Sequence, residues 1–442
     1  MSNDTIVAVA TPPGVGGIAV VRLSGPDALA IATKHLSPVT AHTSLAPRRA
    51  TYCRFDDLDD VVAVYLPTAY TGEPTVEISC HGSTYIQQAI LQALVDSGAR
   101  LAGPGEYTMR AFLNGRLNLS QAEAVADLIE AATPQQHRLA VSQLRGGYAE
   151  RLKELRSQLV DLTSLLELEL DFSQEDVEFA DRTKLRQLLS TASQQVSALI
   201  DSFRMGNALK RGIPVAIVGS PNVGKSTLLN ALLDDDRAIV SDIPGTTRDT
   251  VEGMLTIGGV TFRLIDTAGL RDSDDTVERL GIERSRKAQE EAVIIIDVTD
   301  ASDSPDPKGC TNADDGKRHI RVVNKCDLTP MRQAVTQQEG TVTIYTSAIK
   351  DEGIERLKQA LADAVGDSQK QEVLLTNARH HEALQHVSQA LAHAASGLDT
   401  GLPADLVAVD LRDALYHLGT ITGEVTSNDL LSNIFQRFCV GK

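Results

Sequence analysis

From Asp4 to Gly25 the sequence DTIVAVATPPGVGGIAVVRLSG alternates apolar, β-branched runs with Pro and Gly, a pattern that predicts strand, turn, strand. Two more β-rich stretches follow, DVVAVYLP near Val61–Pro67 and TVEISCHG from Thr75 to Gly82. Between Ser83 and Ser97 the period becomes helical, with Ile86, Ile90, Leu91, Leu94 and Val95 on one face behind a Ser/Thr start. Mixed strand and helix signals read as an α+β domain over residues 1–118.

After Leu119 Pro and Gly become scarce and Leu, Ala, Glu, Gln and Arg dominate. Leu152, Leu155, Leu159, Leu162, Leu166 and Leu170 recur every three or four positions, a stripe that packs on neighbouring helices of the same chain. At Ile213 the pattern switches to PVAIVG, a short buried strand, and strand and helix signals alternate to about Val365. Helical text then resumes with NARHHEALQHVSQALAHAASGL and DLVAVDLRDALYHLGTIT. Bundle-like text on both sides predicts an α/β block, 210–366, inserted into one discontinuous helical domain, 119–209 and 367–442. The stretch Ser302–Gly316 reads as a surface loop within that block.

Composition narrows the picture. The 442 residues are 42% apolar, ample for packed cores, so disorder is excluded as the dominant state. With 42 Lys+Arg against 59 Asp+Glu, the formal charge of −17 argues against indiscriminate nucleic-acid binding, and any RNA contact must be local or partner-assisted. The longest apolar runs, such as Ala292–Ile296, are too short for a bilayer span, and Met1–Asp4 opens no signal segment, so a cytoplasmic protein without a membrane partner is expected. Cysteines 53, 80, 310, 326 and 439 show neither pair spacing nor zinc-ligand spacing.

Gly219–Ser226 reads GSPNVGKS, a GxxxxGK(S/T) loop between the strand PVAIV and the helical STLLNALL. Its glycines let backbone N–H groups face phosphate oxygens at a helix N-terminus, across Asn222, Val223, Gly224, Lys225, Ser226 and Thr227. Lys225 can reach the β and γ phosphates, and Ser226 can supply a Mg²⁺ ligand. In HIRVVNKCDL, Asn324, Lys325 and Asp327 follow a buried strand. The Asp327 carboxylate can accept from guanine N1–H and N2–H, whereas adenine would leave it unmatched, so GTP is favoured over ATP. TSAIK, with Ser347 and Ala348, supplies a second base-side loop.

FRLIDTAGL ends a strand in Asp266, Thr267, Ala268 and Gly269, where Asp266 can hold the Mg²⁺ shell and the Gly269 N–H can sense the γ-phosphate. Upstream, Ser241, Asp242, Ile243, Pro244, Gly245, Thr246 and Thr247 form a second loop, with Thr247 offering another Mg²⁺ hydroxyl. Together these are loops held by the γ-phosphate and released when it leaves. A Ras-like GTPase presents Gln after the glycine to orient the attacking water, but Leu270 stands here and cannot hydrogen-bond. Glu278, in the acidic segment RDSDDTVERLGIER, is either the water-orienting group or a solvated helix-start carboxylate. Asn222 could place a carbonyl beside the phosphates, where a monovalent cation would sit against the backbone of Ser241 and Ile243.

The N-terminal DTIVAVATPPGVGGIAVVRLSG, EISCHGS, GEYTMRAFLNGRLNLSQAEAVADLI, the GSPNVGKS, GTTRD, DTAGLR and NKCD series, and the terminal FCVGK together resemble the MnmE (TrmE) family of tRNA modification GTPases over essentially the whole chain. The resemblance implies three parts: an α+β folate-binding and dimerising N-terminal domain, a discontinuous α-helical domain and an inserted Ras-like P-loop G domain. It also implies a potassium-dependent GTPase, with K⁺ contacted from Asn222, Ser241, Ile243 and Thr246 and with Glu278 and Lys225 as catalytic residues. It implies a homodimer that joins the FAD-dependent MnmG in a heterotetramer. This assembly adds a carboxymethylaminomethyl or aminomethyl group to carbon 5 of the wobble uridine in the tRNA anticodon region. The one-carbon unit comes from 5-formyl- or methylene-tetrahydrofolate, and the family's folate positions fall on Arg22, Glu77, Arg116 and Lys442. Arg116 stands where many relatives have Lys, and Pro244 where Ala is common. Cys439 is either a thiol nucleophile or a small buried hydrophobe. The alternative from another class is a ribosome-assembly or signalling GTPase without folate chemistry, which leaves residues 1–118 and FCVGK unexplained.

Overall fold

The computed structural model describes residues 4–39, 44–171, 182–234, 252–266, 286–302, 317–328, 335–338, 341–366, 374–436, 438 and 440–441. The chain divides into two compact units. One contains Met1–Ile129, Gln143–Ala149 and Tyr416–Lys442, the other Glu130–Ser142 and Glu150–Leu415.

The first unit is built on a seven-stranded sheet of β1 (Ile6–Val9), β2 (Gly16–Ser24), β3 (Leu36–Pro38), β4 (Ala50–Phe55), β5 (Asp59–Leu66), β6 (Thr75–Gly82) and β7 (Arg100–Leu101). Their order is β3-β4-β5-β6-β2-β1-β7, antiparallel except for the parallel β1/β7 pair. Strands β1, β2, β5 and β6 coincide with the β-rich stretches read from sequence, whereas β3, β4 and β7 fall outside them.

Helices α1 (Ala28–Ala32) and α2 (Thr84–Asp96) cover one face of this sheet, where Val7, Val21, Leu23, Cys53, Ile78, Ile90 and Leu94 form the core. Of the face expected for α2, Ile90 and Leu94 are fully buried, while Ile86, Leu91 and Val95 pack at its margin. On the opposite face, α3 (Glu106–Leu113) lays Tyr107 on Ile6, Ala8 and Ala102. Beyond that cover the alternating positions Glu77, Ser79 and His81 of β6 are partly or fully exposed. Gly82 closes one end, because a Cβ there would lie 2.3 Å from the Gly16 carbonyl oxygen.

α4 (Leu119–Glu130), α5 (Pro134–Leu144), α6 (Gly147–Asp171) and α7 (Arg182–Arg211) follow. Leu152, Leu155, Leu159, Leu162 and Leu166 of α6 are at most 1% exposed, so the period of three and four marks a buried seam. Each such leucine contributes about 1.5–3 kcal/mol by burial, and Leu→Ala along it costs about 2–5 kcal/mol.

The second sheet comprises β8 (Ile213–Val218), β9 (Glu252–Ile257), β10 (Val260–Asp266), β11 (Ile294–Asp300), β12 (Arg318–Asn324), β13 (Val335–Gln338) and β14 (Thr341–Tyr345). Its order is β13-β14-β12-β11-β8-β10-β9, parallel in the middle with antiparallel edges. Parallel central strands buried on both faces read as continuous apolar runs, as in IPVAIV, every residue of which is buried.

α8 (Lys225–Asp234) and α9 (Ile354–Val365) pack on this sheet. α10 (Ala378–Thr400) lies against α7, and α11 (Ala404–Thr422) and α12 (Asn428–Phe435) complete the chain. Asn377 caps α10 by accepting from the Arg379 N–H, and Ser427 caps α12 by accepting from the Leu430 N–H. The architecture is therefore the expected combination of an α+β part, a helical part and a P-loop α/β block. Among the described residues no helix is long and apolar enough to cross a membrane.

Candidate functional site

The P-loop leaves β8 at Val218 and enters α8 at Lys225. Gly219 is required because a Cβ would sit 2.2 Å from the Val298 carbonyl oxygen, and Gly224 because its φ is +93° and a Cβ would approach Asn324 Nδ2 to 2.5 Å. Asn222 itself takes a left-handed φ of 64°. Lys225 Nζ donates to the carbonyls of Gly219 (2.8 Å) and Ser220 (2.9 Å), which holds the ammonium within the curl of the loop. Val223 is buried beneath the loop, while Ser226 and Thr227 are exposed on the first turn of α8.

Three loops from three strand ends converge on that curl. Asn324, 2% exposed at the end of β12, donates from Nδ2 to the Val223 carbonyl (3.0 Å) and accepts at Oδ1 from the Ala348 N–H (3.1 Å) and the Thr346 hydroxyl (3.2 Å). One buried side chain thus ties the phosphate loop to the TSAIK loop. Lys325, at φ 63°, donates to the Asn222 carbonyl (2.6 Å) and pairs with Asp300 at the end of β11 (2.7 Å). The hydrogen bond from Lys325, with the Ser302 N–H behind it, holds the Asp300 carboxyl down at about 2. Asp327 Oδ1 accepts from the Ser347 hydroxyl (2.8 Å), and this bond lowers the Asp327 carboxyl below its ordinary value. Asp327 is therefore an oriented, ionised acceptor suited to two adjacent N–H groups on a planar base.

Thr346 and Asp300 are functional supports that sequence reasoning missed. Thr346 was visible as the first letter of TSAIK, and Asp300 as the carboxylate ending IIIDVTD, but neither pairing had a sequence signal. Asp266 ends β10 opposite Ile217 of β8, which places its backbone beside the P-loop strand. Ser241, Asp242, Ile243, Pro244, Gly245, Thr246, Thr247, Thr267, Ala268, Gly269, Leu270 and Glu278 lie outside the described residues.

In the first unit, Arg22 of β2 and Glu77 of β6 are register partners, and Arg22 donates from Nε and Nη2 to Glu77 Oε1, both at 2.8 Å. Tyr107 fixes this pair from the side. Its hydroxyl donates to the Arg22 carbonyl (2.6 Å), and the guanidinium lies 5.8 Å from the centre of its ring. Burial pushes the Tyr107 phenol far up, so it stays a donor. The tail of the chain reaches the same place: Arg22 Nη1 donates to the Gly441 carbonyl (3.4 Å), and Val440 bridges Pro104. Arg116 is exposed and lays its stem beside Gly72, in the β5–β6 connection. Lys442 and Cys439 lie outside the described residues.

A second ionic cluster secures α3. Arg110 bonds Asp4, Glu73 and Glu106, and Arg100 bonds Asp4 and Glu106. No group of three or more His, Cys, Asp or Glu side chains suited to holding a metal occurs among the described residues. Cys53, Cys80 and Cys326 are free thiols.

Comparison with known proteins agrees with this layout. The profile of the GTP-binding protein TrmE N-terminus matches residues 5–116, and that of the MnmE helical domain matches residues 119–439. The tRNA modification GTPase MnmE of Parabacteroides distasonis is 49% identical, covering 99% of this chain and 100% of that protein. The protein of the same name from Porphyromonas gingivalis is 47% identical, covering 100% and 98%. Among solved structures, Aquifex aeolicus Era Y63A bound to GDP.AlF4- is 25% identical over 40% of this chain and 65% of that one, with a TM-score of 0.27, too loose a likeness to bear on the site. Two profiles that together span nearly the whole chain, and relatives close to half identical over their full length, mean that the chain belongs to the MnmE family of tRNA modification GTPases.

Proposed function

We propose that the chain is a GTP hydrolase whose nucleotide cycle serves modification of tRNA. The observation that carries this reading is the Asn324 tie: one buried amide joins the phosphate loop to the loop whose Ser347 orients Asp327. An acceptor-only carboxylate there selects guanine over adenine, and Lys225 supplies positive charge at the phosphates. Val223, Gly224, Ser226, Thr227 and Ala348 complete the contact surface, and residues 241–247 and 266–269 are the further nucleotide contacts.

The finer reading has Ser226 and Thr247 holding Mg²⁺. K⁺ sits against Asn222, Ser241, Ile243 and Thr246, offsets the charge that no Gln or Arg supplies, and leaves Glu278 to orient water. The left-handed turn at Asn222 and the position of Ser226 in the first turn of α8 fit oxygen ligation at the mouth of the loop. Residues 1–118 bind 5-formyl- or methylene-tetrahydrofolate through Arg22, Glu77, Arg116 and Lys442. The fixed guanidinium–carboxylate pair suits the donor and acceptor edge of a pterin. When bound, the folate supplies a one-carbon unit; the chain's own residues hold and orient it. Residues 119–209 and 367–442 make up the helical domain, into whose sequence the G domain at 210–366 is inserted. The working assembly is a cytoplasmic homodimer joined to FAD-dependent MnmG, acting at carbon 5 of the wobble uridine in the anticodon.

The decisive experiment has two arms. GTP hydrolysis should be much faster in KCl than in NaCl at equal ionic strength, and equal rates remove the cation site. Nucleoside analysis of tRNA from cells lacking the protein should show loss of the modified wobble uridine; normal anticodons would instead favour an assembly or signalling GTPase.

A further inference from the structure

The segment EISCHGS contributes more than Glu77. Its His81 is 70% exposed, yet its backbone N–H donates to Asp59 Oδ2 (2.9 Å) and its ring Nδ1 lies 2.7 Å from Asp59 Oδ1. The Asp59 side chain is only 8% exposed, so a nearly buried carboxylate grips both ends of an exposed residue. With Nδ1 committed to Asp59, Nε2 is the ring atom left to face outward.

The register shows what His81 shares a face with. Val64, Glu77 and Arg22 form one row across β5, β6 and β2, and Val62, Ser79 and Val20 form the next. His81 stands two residues further along β6, beside Ile18 of β2, where the β2/β6 register slips between Gly16 and Ala19. A bulge of this kind re-aims side chains next to binding sites. At about 3.3 Å per residue the rows are roughly 6.6 Å apart, and the first and third roughly 13 Å. The face therefore runs from a paired guanidinium and carboxylate, over a largely apolar middle, to an anchored imidazole. Val62 and Ile18 are 39% and 70% exposed along this track.

We propose that His81, held by Asp59, is the anchor for the carboxylate tail of a reduced folate whose pterin lies at Arg22 and Glu77 and whose benzoyl ring crosses Val62, Ser79 and Val20. This rests on the folate reading above and adds to it the far end of the site. Heterocycle, aromatic ring and glutamate follow one another at about the row spacing, and an imidazole backed by the Asp59 carboxylate presents Nε2 to the tail. Among the described residues, the titratable groups at this end are Asp59 and Asp60 of β5 and, through Asp60, Tyr52 and Arg54 of β4, the latter at 3.7 Å. β2 brings Ile18 and glycines to this end, its one charged side chain being Arg22 in the first row.

The test is calorimetric titration of the full chain with 5-formyl-tetrahydrofolate and with tetrahydropterin, which has no tail. His81→Ala should weaken folate binding roughly tenfold and leave tetrahydropterin binding unchanged, as expected for losing one charge-assisted hydrogen bond. His81→Lys should restore much of the loss, and Asp59→Asn should weaken folate binding less than His81→Ala. Equal weakening of both ligands, or none, overturns the proposal, as does a change in oligomeric state without a change in folate affinity. Failure of the wild-type chain to bind either ligand overturns the folate reading itself.

Discussion

Replacing Asn324 with Ala tests whether the nucleotide loops are organised before GTP arrives. The substitution removes three hydrogen bonds at a position 2% exposed, leaving the Val223 carbonyl, the Ala348 N–H and the Thr346 hydroxyl without that partner. An unmatched buried group costs about 1–3 kcal/mol, and water entering the vacated space keeps each cost near the lower end. The sum is about 3 kcal/mol, which nucleotide binding must then supply in ordering the loops. At about 1.4 kcal/mol per decade, GDP affinity should fall roughly a hundredfold.

Titration with a fluorescent guanine nucleotide measures this directly. Gly224→Ala provides an independent route to the same lesion, since its Cβ would meet Asn324 Nδ2 at 2.5 Å from a left-handed backbone. A dissociation constant within twofold of wild type for Asn324→Ala would refute the idea that this amide links the two loops.

Asp327→Asn should shift preference from GTP toward xanthosine triphosphate, because the amide donates where the purine now carries a carbonyl; competition binding with both nucleotides decides it, and retained GTP preference would mean the base is read elsewhere. Glu278→Ala should slow hydrolysis while sparing GTP affinity, and unchanged single-turnover rates would remove Glu278 from the mechanism. Burial alone would raise the Glu106 carboxyl, but hydrogen bonds from Arg100, the Gly103 N–H and Arg110 outweigh it and hold it below the ordinary carboxylate value. Its stabilisation is present above the ordinary carboxylate value and is lost as pH falls through the lower folded one. Glu106→Gln should therefore lower denaturation resistance at pH 7, with the gap closing as the solution is acidified through that lower value.

Local chemistry made much of the molecule legible in the sequence. The GSPNVGKS loop, the NKCD and TSAIK loops and the leucine stripe of α6 depend on residue type at short spacing. Glycine where a Cβ would clash and leucine every three or four residues act the same way in any fold that contains them. The apolar run IPVAIV likewise announces a strand buried on both faces.

Tertiary structure alone decided the long-range pairings. Nothing near Arg22 in the sequence points to Glu77, 55 positions away, or to the Gly441 carbonyl, 419 positions away. Strand register brings the first together, and docking of the chain's tail the second. Asn324 was readable as part of a base-recognition motif, but its bond to Val223, 101 positions earlier, follows from β12 and β8 flanking β11 in one parallel sheet. Strands β3 and β7, three and two residues long, carry little sequence signal because pairing with neighbours, more than intrinsic preference, stabilises so few residues, whereas six-residue β4 alternates exposed and buried positions like any half-buried strand. The grip of Asp59 on His81 has the same origin: hydrogen bonds form between groups that the sheet makes adjacent, and sequence order carries no record of that adjacency.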